Sequence, residues 1–166
     1  IGIDYLHSNN IIHRDIKTAN IMMDHNNLVM LGDFGVSKIL KPQINLADTR
    51  IGTPYYLSPE IVKGEKYTKK IDIWALGCIL CEMITLDYAF LSENIHVLNY
   101  KIVQGKYNLE NSDYSPSLIN LVKKMLNTNI AKRPDIGEIM AMKEITDRMY
   151  GKKYVIDTIN TNSIKR

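Results

Sequence analysis

Between Ile71 and Ile84 the sequence is apolar almost all round, with Ile73, Trp74, Ala75, Leu76, Cys78, Ile79, Leu80 and Cys81 leaving no continuous polar face. A helix of that kind has to be buried on every side, so the rest of the chain must be built around it. Its longest uninterrupted apolar run, Ile73 to Cys81, is about half of what a bilayer span needs, and Glu82 closes it. Burial in protein, not in lipid, is therefore expected, and no membrane partner is read from the chain. At 166 residues, folding can bury roughly two-thirds of the surface that the unfolded chain exposes, enough for a core without disulfides or structural metal. Cys78 and Cys81 have no partners for a disulfide framework or a zinc ribbon and are expected to be buried thiols in a reducing compartment. The 21 basic and 18 acidic residues are interspersed and leave a formal charge of +3, too weak a balance to argue for nucleic acid.

Elements are expected around this spine in a set order. Ile1, Ile3, Tyr5 and Leu6 fit the end of an amphipathic helix that stops at Ser8, Asn9 and Asn10. Ile21 to Asp24 and Leu28 to Leu31 flank His25, Asn26 and Asn27 and read as a small hairpin. Phe34 to Pro59 shows no sustained periodicity, and a loop of about 25 residues inside a compact domain is usually functional. Three more helices are expected: Ser92 to Val103 with a Ser cap and an end near Gly105, Ser117 to Leu126 after Pro116, and about Asp135 to Met142. From about Thr146 apolar residues thin out, so residues 146–166 read as a tail that frays. No internal repeat is present.

The chemistry concentrates in His13, Arg14, Asp15, Ile16, Lys17, Thr18, Ala19 and Asn20, followed by Asp33, Phe34 and Gly35. Here the chain resembles the eukaryotic protein kinases, whose catalytic-loop and metal-binding signatures have this wording and spacing. Phosphoryl transfer asks a protein mainly to hold an acceptor hydroxyl in line with a terminal phosphate and to neutralise charge spreading over its oxygens. The resemblance implies Asp15 as the carboxylate that orients the acceptor hydroxyl and takes its proton, and Lys17 as a compact positive charge beside the transferring phosphate. Asn20 and Asp33 would be hard oxygen ligands for Mg²⁺, with ATP as the nucleotide. Met22 would lie in the floor of the adenine pocket. His13 is expected to be structural, packing and hydrogen-bonding the loop backbone.

The resemblance extends through Gly52, Thr53, Pro54, Tyr55, Tyr56, Leu57, Ser58, Pro59 and Glu60, similar to the end of a kinase activation segment, with Ser58 where Ala is common. Asp72 to Gly77 is similar to the start of the central helix of that fold, whose Asp caps the catalytic-loop backbone. Arg133, before Pro134, would form a buried ion pair with Glu60. Thr49 stands where relatives carry an activating phosphosite, so a phosphate there could be gathered by Arg14, placed by an activating kinase. Lys17 together with Thr53 resembles the serine/threonine branch, and Ala19 before Asn20 does not suggest a basic consensus substrate. The wording Leu-Gly-Asp-Phe-Gly, Gly-Thr-Pro-Tyr-Tyr-Leu-Ser-Pro-Glu and Asp-Ile-Trp-Ala-Leu-Gly-Cys-Ile-Leu-Cys-Glu-Met looks most like the NIMA-related kinases.

The implied fold is mainly α: the helical C-terminal lobe of a protein kinase over residues 1–145, with a small β-hairpin at the active site. No Gly-rich phosphate loop, no Lys after a Val-Ala-Ile strand and no helix Glu to pair with it are found, so the small N-terminal lobe is expected to be absent. The implied function is transfer of the ATP γ-phosphate to protein serine or threonine, in the cytoplasm or at the cytoskeleton or nucleus, with this chain alone inactive. The alternative is a non-catalytic, kinase-like module that docks a partner.

Overall fold

A computed structural model of the chain describes residues 1–32, 38–39, 54–109 and 113–151. In chain order the elements are α1 (Gly2–Ser8), β1 (Ile11–Ile12), a 3-10 turn (Thr18–Asn20), β2 (Ile21–Met23), β3 (Val29–Leu31), β4 (Lys38–Ile39), a second 3-10 turn (Pro54–Tyr56), α2 (Pro59–Val62), α3 (Lys70–Thr85), α4 (Ile95–Gln104), α5 (Pro116–Met125), α6 (Ile136–Met140) and α7 (Lys143–Gly151).

The apolar helix is α3, and each of its sides enters a different part of the core. Trp74, Cys78 and Cys81 pack with Phe90, Leu98, Ile102 and Val122 from α4, α5 and the loop before α4. Ala75 and Ile79 meet Ile3 and Leu6 of α1. Ile73 meets Leu121 and Met125 of α5, and Ile71 joins Ile12 and Ile61. Four clusters around one helix explain why its sequence has no polar stripe. Trp74 stacks on Phe90 with ring centroids 5.4 Å apart. Gly77 allows α5 to approach closely, because a Cβ there would stand 3.0 Å from Met125 Cβ and from Leu126 Cδ2. Both cysteines are free and buried, and burial pushes the Cys81 thiol up to about 11. Among the described residues no helix is long and apolar enough to cross a membrane.

The sheets are small. β2 and β3 form an antiparallel hairpin with Ile21 opposite Leu31, Met22 opposite Met30 and Met23 opposite Val29. Its turn is closed by Asp24, whose carboxylate accepts from the amides of Asn26 and Leu28 at 2.8 Å each, while Asn27 takes the left-handed conformation at φ 61°. The Leu28 amide leads the contacts that hold the Asp24 carboxyl below its usual range. β1 pairs antiparallel with β4, Ile11 opposite Ile39, which puts a strand inside the stretch read as an unbroken loop.

The helix ends differ from the expected ones in two places. α4 starts at Ile95 because Asn94, not Ser92, is its cap: the Asn94 side chain accepts from the His96 and Val97 amides, and the Ser92 hydroxyl instead accepts from the Asn94 amide at 3.2 Å. The helix then closes at Gly105, left-handed at φ 62°, with the Lys106 amide reaching the Lys101 carbonyl at 2.9 Å. The last helix expected, about Asp135 to Met142, is α6, opened by an Asp135–Glu138 capping box, and a further, unexpected helix, α7, runs from Lys143 through the 145/146 boundary to Gly151. Met142 and Ile145 pack against the cluster of Ile73, Leu121 and Ile139, and that anchorage carries helix into the stretch read as tail. Residues 152–166 lie outside the described residues.

Candidate active site

The loop from His13 to Asn20 leaves β1 and hangs from a carboxylate on α3. Asp72, 1% exposed, accepts from the backbone amides of His13 at 2.9 Å and Arg14 at 3.0 Å and contacts His7 Nε2 at 2.8 Å. Arg14 has φ 72°, a left-handed conformation that costs a non-glycine residue roughly 1 to 3 kcal/mol. The two amide bonds to a buried carboxylate hold it there. His13 is fully buried; an Nε2–H tautomer lets its Nδ1 accept from the Asp15 amide at 3.3 Å and its Nε2 donate to the Gly32 carbonyl at 3.3 Å.

Three residues of the motif converge. Lys17 Nζ lies 2.7 Å from Asp15 Oδ2, and Asn20 Nδ2 donates to the same oxygen at 3.0 Å and to the Asp15 carbonyl at 2.7 Å. Asn20 is buried while Asp15 and Lys17 remain half-exposed, so the carboxylate is oriented from below and open above. Both Asn20 contacts use its amide nitrogen, which leaves the amide oxygen as the ligand-type atom. The Gly32 amide donates to the Asn20 carbonyl at 2.8 Å, tying the end of the hairpin to the loop. Asp33, the next residue, lies outside the described residues, as do Thr49 and Thr53. Met22 is half-exposed on the hairpin, and a Cβ on Gly32 would meet its methyl at 2.5 Å.

The oxygen donors suit a hard cation. Asn20 has a neutral amide oxygen that its contacts with Asp15 do not use, a hard donor of the kind that fits Mg²⁺, an ion that draws few ligands from protein and the rest from phosphate and water. Among the described residues no group of three His, Cys, Asp or Glu side chains could hold a metal by itself.

Glu60 and Arg133, 73 positions apart, form a two-pronged pair: Nη1 to Oε1 at 2.7 Å and Nη2 to Oε2 at 3.0 Å. Arg133 also donates to the carbonyls of Asn127 at 3.0 Å and Lys70 at 2.9 Å and lies 4.9 Å over the Trp74 ring. It joins α2, the start of α3 and the turn before α6 in one buried knot.

Two further features line a cavity of about 60 Å³ behind the loop, between Arg14, Asp15, Tyr56, Ser58 and Asp72. Arg14 stands 5.4 Å over the Tyr67 ring, and its Nε and Nη2 are buried without a hydrogen bond among the described residues. The Ser58 hydroxyl is likewise buried and unbonded. Ser58 occupies the cap position of α2 yet makes no side-chain cap bond, so Ser58→Ala loses no cap and removes a desolvated hydroxyl. The variant is expected to be more stable by about 1 kcal/mol, read as a higher urea midpoint; a lower midpoint would mean that the hydroxyl has a bonding partner.

Sequence reasoning assigned no individual role to Thr18, Tyr56 or Glu82. The Tyr56 ring packs edge-on to Tyr88 at 6.3 Å, and its hydroxyl bonds both Thr18 and Glu82. No local signal marks a contact between such distant positions.

A family model described as protein kinase domain matches residues 1–145. The probable serine/threonine-protein kinase nek3 of Dictyostelium discoideum is 45% identical over 145 residues, which is 85% of this chain and 13% of that protein. Serine/threonine-protein kinase Nek8 of Danio rerio is 45% identical over 142 residues, 85% of this chain and 20% of that protein. Nek1 of Mus musculus is 40% identical over 149 residues, 90% of this chain and 12% of that protein. The chain thus spans a fifth or less of the length of these relatives.

Proposed function

The chain belongs to the protein kinase family, and from that premise we propose that it is the helical C-terminal lobe of a serine/threonine kinase that transfers the ATP γ-phosphate to protein hydroxyls with Mg²⁺. The observation that carries this reading is the double contact at Asp15: one carboxylate oxygen held by Lys17 at 2.7 Å and Asn20 at 3.0 Å, on a loop suspended from buried Asp72. Asp15 orients the acceptor hydroxyl and takes its proton. Lys17 places a positive charge beside that carboxylate, where negative charge develops on the transferring group. Asn20 offers its amide oxygen to the cation, with Asp33 as the second ligand. Mg²⁺, when bound, neutralises charge on the phosphate oxygens.

Met22 and Met30, paired across the hairpin on one face and 52% and 48% exposed, support a second lobe that covers them, with Met22 against the adenine. Without that lobe the chain is inactive. The kinase reading assigns Thr53 to the pocket beside the acceptor. Phosphate on Thr49, placed by an activating kinase, pairs with Arg14, whose Nε and Nη2, buried and without a hydrogen bond among the described residues, support an anionic partner.

The test is direct. The purified full-length protein, given ATP, Mg²⁺ and a generic protein substrate such as casein, is expected to yield phosphoserine and phosphothreonine, and chelation by EDTA to stop the transfer. Phosphotyrosine alone, or no transfer after activation-segment phosphorylation, would refute the assignment.

A further inference from the structure

A groove of about 600 Å³ runs between α5 and α7, away from the catalytic loop. Leu80 of α3, Leu118 and Leu121 of α5 and Ile145 of α7 line it, and the lining is mainly apolar. Leu80, Leu118 and Ile145 are only half-buried. Lys124 and Lys143, both exposed, stand at its edge. The volume falls within the roughly 300 to 1,000 Å³ of typical binding pockets. Water against such a surface is displaced favourably by any apolar cover that fits.

The chain itself supplies a matching segment. Fifteen residues follow α7, which ends at Gly151. Four of their five apolar side chains, Tyr154, Val155, Ile156 and Ile159, fall within six positions, and Asp157 is the one acidic residue among the fifteen. An apolar run carrying a single negative charge complements an apolar groove edged by two lysines, whose long stems let the ammonium groups reach over it. The distances agree as well. The groove lies at the first turn of α7, and the nine residues of that helix rise roughly 13 Å to Gly151. Residues 152–155, extended at about 3.3 Å each, cover the same roughly 13 Å in return. Glycine at a helix end eases the change of direction. A reversal after Gly151 therefore carries Ile156 and Ile159 back over Leu118 and Ile145.

We propose that residues 154–159 fold back into this groove and latch α7 to α5. So short a tether gives the segment an effective concentration in the millimolar range, so modest apolar contact fills the groove ahead of a separate molecule. The latch uses no residue of the candidate active site, so it stands or falls apart from the kinase reading.

The test uses the 166-residue chain. Asn160→Cys adds a thiol beside the segment for a nitroxide spin label. Cys78 and Cys81 stay unlabelled because both are buried and burial pushes the Cys81 thiol up to about 11. With the segment docked in most molecules, the methyl signals of Leu118, Leu121 and Ile145 are expected to weaken at least about twofold relative to the reduced label. Ile156→Asp with Ile159→Asp in the labelled chain is expected to restore them, since an unpaired charge is not accepted on apolar walls. The same two changes in the unlabelled chain are expected to lower the urea midpoint, whereas substitutions in an undocked segment leave stability unchanged.

Groove methyls at full intensity in the labelled chain would overturn the proposal, and so would a midpoint that does not move. Spin-labelled chains mixed with isotope-enriched, unlabelled ones test for a second copy as occupant. Full intensity in the mixture supports a fold-back within one chain; weakening there would assign the groove to the segment of another copy and overturn the proposal.

Discussion

Asp15→Asn in the full-length protein is expected to lower phosphotransfer by about 10² to 10⁴ while ATP still binds. The substitution preserves shape but removes the basic oxygen, and it turns an amide toward Lys17 Nζ, which now lies 2.7 Å from Asp15 Oδ2. The loop itself should hold, because its anchors do not use the Asp15 side chain. Asn20 still reaches the Asp15 carbonyl at 2.7 Å, and Asp72 still accepts the His13 and Arg14 amides. Initial rates of phosphate transfer, paired with calorimetric binding of a non-hydrolysable ATP analogue, separate chemistry from binding. A variant that keeps more than a tenth of the wild-type rate would remove Asp15 from the proton-accepting role.

Arg133→Met is expected to destabilise the fold by about 3 to 5 kcal/mol, since it leaves the Glu60 carboxylate, 1% exposed, buried without its partner. Against a typical domain stability of about 5 to 15 kcal/mol this is a large share of the margin. The loss should exceed that of a surface pair because the guanidinium also serves the Asn127 and Lys70 carbonyls and the Trp74 ring. Urea unfolding followed by tryptophan fluorescence reads the change. Glu60→Leu combined with Arg133→Met is expected to sit closer to wild type than Arg133→Met alone, because no charge is then stranded. A midpoint for Arg133→Met within error of wild type would show that the knot contributes little.

Much of the architecture could be read from local pattern. All-round apolarity marked α3, the His25–Asn27 run marked the β2–β3 turn, and the helix expected from about Asp135 is α6. What escaped local reading depends on competition or distance. Ser92 and Asn94 are both good caps, and only the placed backbone decided that Asn94 receives the His96 and Val97 amides. β1 and β4 are two residues each, too short to carry a period, and they pair only because the fold brings them together. α7 has few apolar residues, and its first turn is held by Met142 and Ile145 against a core built by α3 and α5.

The candidate site divides the same way. Asp15, Lys17 and Asn20 lie within six consecutive residues, so a tight loop must bring them near one another, while their roles are what the resemblance of that wording to the protein kinases implies. The Thr18–Tyr56–Glu82 chain joins positions 38 and 26 residues apart, and the Glu60–Arg133 pair joins positions 73 apart. Sequence by itself determined the closeness of Asp15, Lys17 and Asn20 and the buried helix, because both follow from neighbours along the chain. Tertiary structure alone decided that Asp72 of that helix takes the His13 and Arg14 amides and Glu82 the Tyr56 hydroxyl, because hydrogen-bond partners so far apart are chosen by packing, and packing is a property of the whole chain.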